Sequence, residues 1–256
     1  MIALVAGGDL PTALRLGGSM VALQASIGSL NDIVDAPADA GHKPGKPIPS
    51  GVVSAATASV VVGLGAVGGL ALAIPSGPWS LATAILILTV GYGYDLAGKG
   101  TRWSWLPFAV GIPLLPVFAW VGAAGRLPSA FAILVPAAVV AGSALAIANG
   151  RADVERDVAA GQGSVATWLG LDRAWRVSAV LLLGVVAVAL GSLGLRGASP
   201  GSLLAAGAAN AVIGTGLAWA SGSRATAARR ERAWQMHAIG VALLAATWLA
   251  GLGDLG

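Results

Sequence analysis

Two short runs of polar residues in this chain each place one amide and two carboxylates at intervals of four. The first acidic run comprises Asn31, Asp35 and Asp39, and the second comprises Asn149, Asp153 and Asp157. Residues four apart lie on one face of a helix, so each run can direct its side chains towards one point. Carboxylates at this spacing repel each other, and a bound cation would offset that repulsion.

Carboxylate and amide oxygens are hard ligands suited to magnesium, which usually keeps several waters and is completed by substrate phosphates. We therefore expect the two acidic runs to hold one or two magnesium ions around a diphosphate. Asp32 lies about a quarter-turn from Asn31 and is a further candidate, either as a metal ligand or as an orienting residue. Pro37 interrupts the first acidic run, so Asp39 is expected beyond the regular helix.

Basic residues close to these runs could neutralise phosphate oxygens. Lys43 and Lys46 follow the first acidic run, and Lys99 and Arg102 lie in a later loop. Lys and Arg also collect in cytoplasmic loops for topological reasons, so both interpretations stay open for these residues. Asp95 ends the preceding apolar segment, where it could bind an acceptor, take its proton, or only pair with Lys99.

The elements that must position these residues are indicated by the composition. The 256 residues are 56% hydrophobic and 10% charged, with a mean hydropathy of +0.81 and no cysteine. A soluble domain carries about 25% charged residues, so the chain is expected in a lipid bilayer. The absence of cysteine excludes disulfides and thiolate metal sites.

Long apolar runs without period-2 alternation favour helices over a membrane barrel. We expect an all-α, polytopic membrane bundle that forms a single domain over residues 1–256. Residues 1–6 resemble the tail of a truncated first span. The eight full spans are expected at 12–30, 52–75, 79–95, 106–124, 128–149, 174–195, 201–221 and 234–253.

The distribution of charge predicts the orientation of this bundle. Four alternating loops carry 12 of the 15 Lys and Arg residues, which places those loops in the cytoplasm. Nine of the 11 acidic residues lie on the same face, although acidic residues contribute little to topology. Because topology does not explain why these nine acidic residues lie on one face, their position indicates a functional site there. The two histidines lack metal-ligand spacing and are assigned no role.

The acidic runs and their flanks resemble the UbiA superfamily of intramembrane prenyltransferases. The first signature of that family stands here as Asn31, Asp32, Asp35 and Asp39, followed by a tail at 46–51 with the letters KPIPSG. Its second signature stands as Asp153, Asp157 and Gly161. The tail has Lys46 where arginine is commoner in the family. Lysine keeps the positive charge but lacks the two-pronged donor geometry of a guanidinium group.

The resemblance implies a nine-helix bundle with a central cavity and magnesium bound by both signatures. It also implies transfer of an isoprenoid chain from a prenyl diphosphate to an acceptor, often an aromatic ring on the way to a quinone. Tyr94 and Lys99 match the region where the family places a tyrosine and a basic residue near the diphosphate.

Two alternatives to transfer remain. A terpene cyclase would use the same fold and the same acidic runs. A membrane transporter would explain the spans, but it would place polar groups near the midplane rather than on one face. The sequence gives no indication of a nucleic-acid partner. The acceptor and the oligomeric state are left open, and Gly65-x-x-x-Gly69 favours close helix contact within the bundle.

Overall fold

The structure is a computed structural model, and it describes residues 1–40, 45–159 and 161–253. In these ranges the regular structure is helical. A 3-10 turn at Ile74–Ser76 follows α3, and a π-helical turn at Tyr94–Gly98 follows α4. The α-helices are α1 (Ile2–Val5), α2 (Leu10–Asp39), α3 (Ala55–Ala73), α4 (Pro78–Gly93), α5 (Leu106–Ala124), α6 (Phe131–Ala159), α7 (Val165–Leu169), α8 (Leu171–Leu195), α9 (Pro200–Trp219) and α10 (Ala227–Gly253).

Among the residues that are described, seven helices are long and apolar enough to cross a membrane: α3, α4, α5, α6, α8, α9 and α10. They coincide with seven of the eight predicted spans, so a multi-pass helical membrane protein is confirmed. The remaining predicted span, at 12–30, lies within the 30-residue α2, which is not one of the seven. The count of eight full spans and a partial first span therefore stays a prediction.

Two compact units make up the chain. The first unit consists mainly of Ala3–Lys99 and Leu114–Leu127, and the second mainly of Gly100–Pro113 and Pro128–Gly256. The first acidic run lies in the first unit and the second acidic run in the second. The single domain over residues 1–256 stays a prediction.

In the first unit, α2 and α3 pack closely because small residues line their contact. A Cβ added at Gly65 would lie 2.7 Å from the carbonyl oxygen of Ala22, and one at Gly69 would lie 2.7 Å from the Leu23 side chain. The hydroxyl of Ser19 also donates to the carbonyl of Gly69 over 2.7 Å. The two glycines thus serve contact within the chain, as the spacing predicted.

The core of the first unit joins α4 and the end of α5 to α2. Leu23, Ile87 and Phe118 are buried together in this core. Near the predicted site, the hydroxyls of Ser26 on α2 and Tyr92 on α4 are 2.6 Å apart. These contacts fix the end of α4 against α2, and that arrangement positions the first acidic run.

In the second unit, side-chain hydrogen bonds link the long helices. Ser178 of α8 donates to the carbonyl of Ala144 on α6 over 3.1 Å. The indole Nε1 of Trp248 on α10 donates to the Ser192 hydroxyl on α8 over 2.7 Å. In an apolar environment such bonds satisfy groups that would otherwise be costly to bury. The first bond holds α6, which carries the second acidic run, to α8, and the second holds α10 to α8.

Candidate active site

The first acidic run occupies the last turns of α2. Asn31, Asp35 and Asp39 are all helical, so the four-residue spacing places them along one face of the helix. The expectation that Asp39 lies beyond the helix is wrong. Pro37 is inside α2 and removes one backbone donor, but the next turn still closes because the Ala40 N–H bonds to Ala36 O. Asp39 is the last helical residue, and it is buried.

Asp95 joins the first acidic run from the π-helical turn after α4. The Nδ2 of Asn31 donates to Asp95 Oδ1 over 2.9 Å. Asp95 is only 3% exposed, and its Oδ2 has no hydrogen-bond partner in the part of the chain that is described. A buried carboxylate oxygen without a partner is costly, so this atom is a candidate ligand position for a cation.

Lys99 supplies the positive charge at this position. Its Nζ lies 2.8 Å from Asp35 Oδ1 and 3.3 Å from Asp95 Oδ1, and 5.6 Å from the centroid of the Tyr94 ring. The π-helical turn closes where the Lys99 N–H bonds to Tyr94 O over 3.2 Å. Such turns are frequent at functional sites because they change which side chains face the neighbouring helix.

Lys46, in the loop after α2, forms an ion pair with Asp32. Partial burial alone would lower the pKa of Lys46. The hydrogen bond and charge of Asp32, together with the charges of Asp39 and Asp35, instead raise the pKa of Lys46 above its ordinary value of 10.5. Two of the lysines that were predicted to bind phosphate thus pair with carboxylates of α2: Lys99 with Asp35 and Lys46 with Asp32. Lys43 lies outside the described residues.

The second acidic run lies on the continuous helix α6, which extends to Ala159, ten residues beyond the predicted end of this span. Asp153 forms an ion pair with Arg156. This pair was not predicted from the sequence, although residues three apart on a helix are neighbours on its surface. The helix ends after the run, where Gln162 N–H bonds to Asp157 O over 2.8 Å. Gly161 has a φ of 66°, so a glycine suits this position.

Arg102 is placed differently from the other predicted substrate-binding residues. Its guanidinium carbon lies 5.3 Å from the centroid of the Trp103 ring, and the side chain is exposed. It belongs to the second unit, whereas Tyr94, Lys99 and Lys46 belong to the first. The structure therefore gathers three of the five predicted substrate-binding residues around the first acidic run.

The donor set of the first acidic run suits a hard cation. Across the described ranges, no three His, Cys, Asp or Glu side chains are close enough to hold a metal ion by themselves. Magnesium does not require three, since it is commonly bound by one or two carboxylates, waters and substrate phosphates. Asp35, the free oxygen of Asp95 and the amide of Asn31 meet that requirement.

These features define a class of protein: a multi-pass helical membrane protein with a cluster of carboxylates and lysines at one helix end. The sequence profile of the UbiA prenyltransferase family matches residues 1–240. The chain therefore belongs to the UbiA prenyltransferase family, and it is an enzyme of the prenyltransferase type. A comparison with curated protein sequences found no match.

Solved structures show the same fold at low sequence identity. A UbiA homologue from Aeropyrum pernix in the apo state has a TM-score of 0.76 and 19% identity, covering 99% of this chain and 93% of that chain. A structure of digeranylgeranylglyceryl phosphate synthase has a TM-score of 0.73 and 17% identity, with coverages of 99% and 91%. A UbiA homologue from Archaeoglobus fulgidus bound to DMAPP and Mg²⁺ has a TM-score of 0.69 and 16% identity, with coverages of 95% and 93%.

Proposed function

We propose that this enzyme uses magnesium and an allylic prenyl diphosphate, and that it transfers the isoprenoid chain to a small acceptor within the membrane. The observation that carries the proposal is the position of Lys99, whose ammonium lies between the carboxylates of Asp35 and Asp95. A diphosphate needs cationic donors, and its metal needs carboxylates. This cluster offers both at the end of α2.

Magnesium is supported by the donor set described above and by the homologues. Archaeoglobus fulgidus structures contain DMAPP or GPP together with Mg²⁺. The bound ion would supply positive charge that stabilises the departing diphosphate. The residues proposed to hold it are those of both acidic runs together with Asp32: Asn31, Asp32, Asp35, Asp39, Asn149, Asp153 and Asp157. The Oδ2 of Asp95 is a further candidate ligand.

Lys99 and Lys46 are proposed to bind the diphosphate. Each ammonium now contacts a carboxylate, and each sits on a flexible four-carbon stem that can turn towards a phosphate oxygen. Tyr94 limits this movement for Lys99, since a cation over an aromatic ring is attracted to its face. Lys43 and Arg102 are proposed as further positive charges for the diphosphate.

Asp95 is proposed to act mainly by positioning. It accepts a hydrogen bond from Asn31 and an ion pair from Lys99, so it fixes a candidate metal ligand and a candidate phosphate donor together. Its deep burial favours this role over transfer of a proton from the acceptor. The apolar helices around the reacting carbon exclude water, which protects the allylic cation until the acceptor attacks.

The acceptor is proposed to be a small aromatic ring, as in quinone biosynthesis, with the acidic runs facing the cytoplasm. The similarity to a digeranylgeranylglyceryl phosphate synthase makes a prenylated glyceryl phosphate the second acceptor to test. Membership in a prenyltransferase family favours transfer over transport. Internal cyclisation of the prenyl chain remains the alternative reaction of the same site.

The first experiment measures release of inorganic pyrophosphate by the full chain in lipid nanodiscs. Geranylgeranyl diphosphate and magnesium are supplied with an aromatic acid, with a prenylated glyceryl phosphate, or with neither. We expect release with magnesium and none with excess EDTA. Asp35→Asn and Asp153→Asn should each lower the rate by about 100-fold or more, since loss of a charged ligand costs roughly 3 kcal/mol.

The matched control is Glu231→Gln, which removes one exposed carboxylate on α10 and should leave the rate unchanged. Mass spectrometry of the lipid fraction then identifies a prenylated acceptor or a cyclised hydrocarbon. Release that persists in EDTA, or that survives both aspartate substitutions, would contradict the proposed site. Folded protein that releases no pyrophosphate with any acceptor would contradict the proposed reaction.

A further inference from the structure

A second polar site lies in the second unit, and none of the residues that line it has been assigned a role above. A small cavity, which we call the basic cavity, has a volume of about 10 Å³, enough for a single water-sized occupant. Apolar side chains complete its wall. The polar and aromatic residues that line it are Arg151, Trp175, Ser178, Arg230, Trp234 and His237.

The basic cavity contains nitrogen atoms that have no protein partner. Within the described part of the chain, Nε of Arg230, Nε1 of Trp234 and both ring nitrogens of His237 are buried and make no hydrogen bond. The Arg and Trp nitrogens can only donate, and a neutral imidazole has one donor and one acceptor. Three of these four unsatisfied groups are therefore donors, which suits an occupant that accepts hydrogen bonds.

Two buried arginines line the cavity. Arg151 and Arg230 are 4% and 2% exposed. Arg151 donates to two neutral groups, Leu171 O over 3.1 Å and the carbonyl of Gly222. Arg230 has a carboxylate partner in Glu155, but that side chain is 57% exposed and faces water. Asp172 also acts on Arg151 electrostatically, but neither Asp172 nor Glu155 lines the cavity. The lining thus contains two buried guanidinium groups and no carboxylate, and buried charge needs nearby partners.

The other lining residues are hydrogen-bonded or tightly packed, so the cavity does not result from loose packing. Nε1 of Trp175 donates to Leu217 O over 3.1 Å, and Ser178 donates to Ala144 O, so these two residues are satisfied. The imidazole of His237 packs against Gly216 on α9, where an added Cβ would lie 2.9 Å from the ring. His237 itself is 4% exposed. The unsatisfied groups belong to α10 alone.

We propose that the basic cavity binds one monatomic anion, a halide such as chloride. The lining is rich in donors, which selects an anion over a cation, and its two guanidinium groups with no carboxylate among the lining residues favour an anion over water. The volume excludes phosphate, sulfate and carboxylates. Such an anion would hold α10 to the part of α6 that carries Arg151 and Glu155, between the residues of the second acidic run.

The test compares the full chain in sodium bromide, sodium chloride and sodium gluconate at one ionic strength, without magnesium or diphosphate. The readout is the midpoint of thermal unfolding followed by circular dichroism. We expect a saturable rise of about 3 °C in either halide at roughly ten times the dissociation constant, with gluconate as baseline. Because no substrate is present, the result is independent of the proposed reaction.

A matched pair of substitutions locates the effect. Trp234→Phe removes one unsatisfied donor and keeps an aromatic ring, so it should abolish most of the halide-dependent rise. Trp168→Phe makes the same change at an exposed position on α7 and should retain the rise in full. A rise that survives in Trp234→Phe would place the anion elsewhere and overturn the proposal.

Crystals of the unaltered protein soaked in bromide give a second measurement that needs no variant. The expected result is an anomalous peak within hydrogen-bond distance of Arg230 and Trp234. No peak in the basic cavity, with equal unfolding midpoints in bromide and gluconate, would show that water fills it and would overturn the proposal.

Discussion

Among single residues, Asp95 and Lys99 link the candidate metal ligands to the candidate diphosphate-binding residues. Asp95 touches Asn31, a candidate metal ligand, while Lys99 touches both Asp95 and Asp35. A charge introduced or removed at either residue therefore affects a metal ligand and a phosphate donor together. Their separate contributions can be measured because an amide at position 95 preserves one contact and weakens the other.

Asp95→Asn is expected to lower the rate of pyrophosphate release about 10-fold. The amide oxygen can still accept from Asn31, but Lys99 loses one of its two carboxylates, and a hydrogen bond to a charged group contributes roughly 1.5 kcal/mol or more. A positioning role leaves the shape of the rate–pH profile unchanged. If Asp95 took a proton from the acceptor, the variant would lose the acidic limb of that profile. Glu231→Gln serves as the control.

The pair formed by Lys46 and Asp32 predicts a dependence of stability on alkaline pH. The folded protein has a pKa for Lys46 above 10.5, so the pair stabilises the fold fully below pH 10.5 and loses this contribution as the pH rises through the folded pKa. Asp32→Asn should therefore be less stable than the native chain at about pH 9, and the difference should shrink by about pH 11.5. Chemical unfolding at each pH measures the difference in stability between the two proteins. If that difference does not change with pH, the pair is not formed in solution.

At the level of elements, the site depends on how α4 meets α2. The π-helical turn places Asp95 and Lys99 beside the first acidic run, and the contact between Ser26 and Tyr92 holds the two helices together just before it. On its other side, α2 is fixed by α3 through Gly65 and Gly69. Displacement of α2 would thus move every ligand of the first acidic run at once.

Gly65→Ala is expected to destabilise the protein by about 1–3 kcal/mol, because the new methyl group would meet the Ala22 carbonyl oxygen at 2.7 Å. Gly63→Ala makes the same change on the same helix, where nothing lies within 4 Å. It should be neutral or stabilising by up to about 1 kcal/mol, since alanine is the better helix former. Unfolding of both variants in lipid–detergent mixtures measures the difference. Equal stability would show that α2 and α3 do not approach this closely.

At the level of the whole molecule, the distribution of Lys and Arg predicts that the acidic runs face the cytoplasm. The natural chain has no cysteine, so single labels can be introduced without background. Leu195→Cys, at the exposed end of α8, should react with a membrane-impermeant maleimide on intact cells. Ser50→Cys, in the loop after the first acidic run, should react only after permeabilisation. The reverse pattern would invert the proposed orientation.

Most of the helical architecture could be predicted from the sequence, because long apolar runs and turn residues are local signals. The apolar run at 106–124 matches the bounds of α5, and the run at 174–195 ends with α8. The apolar runs mark spans rather than whole helices. The span predicted to end at 149 belongs to α6, which continues through the second acidic run to Ala159, since a helix past the membrane surface needs no apolar side chains.

The sequence by itself determined which residues could do chemistry, since the types and four-residue spacing of the acidic runs are properties of single helices. Only the tertiary structure decided which partners they meet. Asn31 and Asp95 are 64 positions apart, and so are Asp35 and Lys99; both contacts exist because α4 packs against α2. The basic cavity likewise has no local pattern, because Arg151, Arg230 and His237 converge only when α6 and α10 are packed side by side.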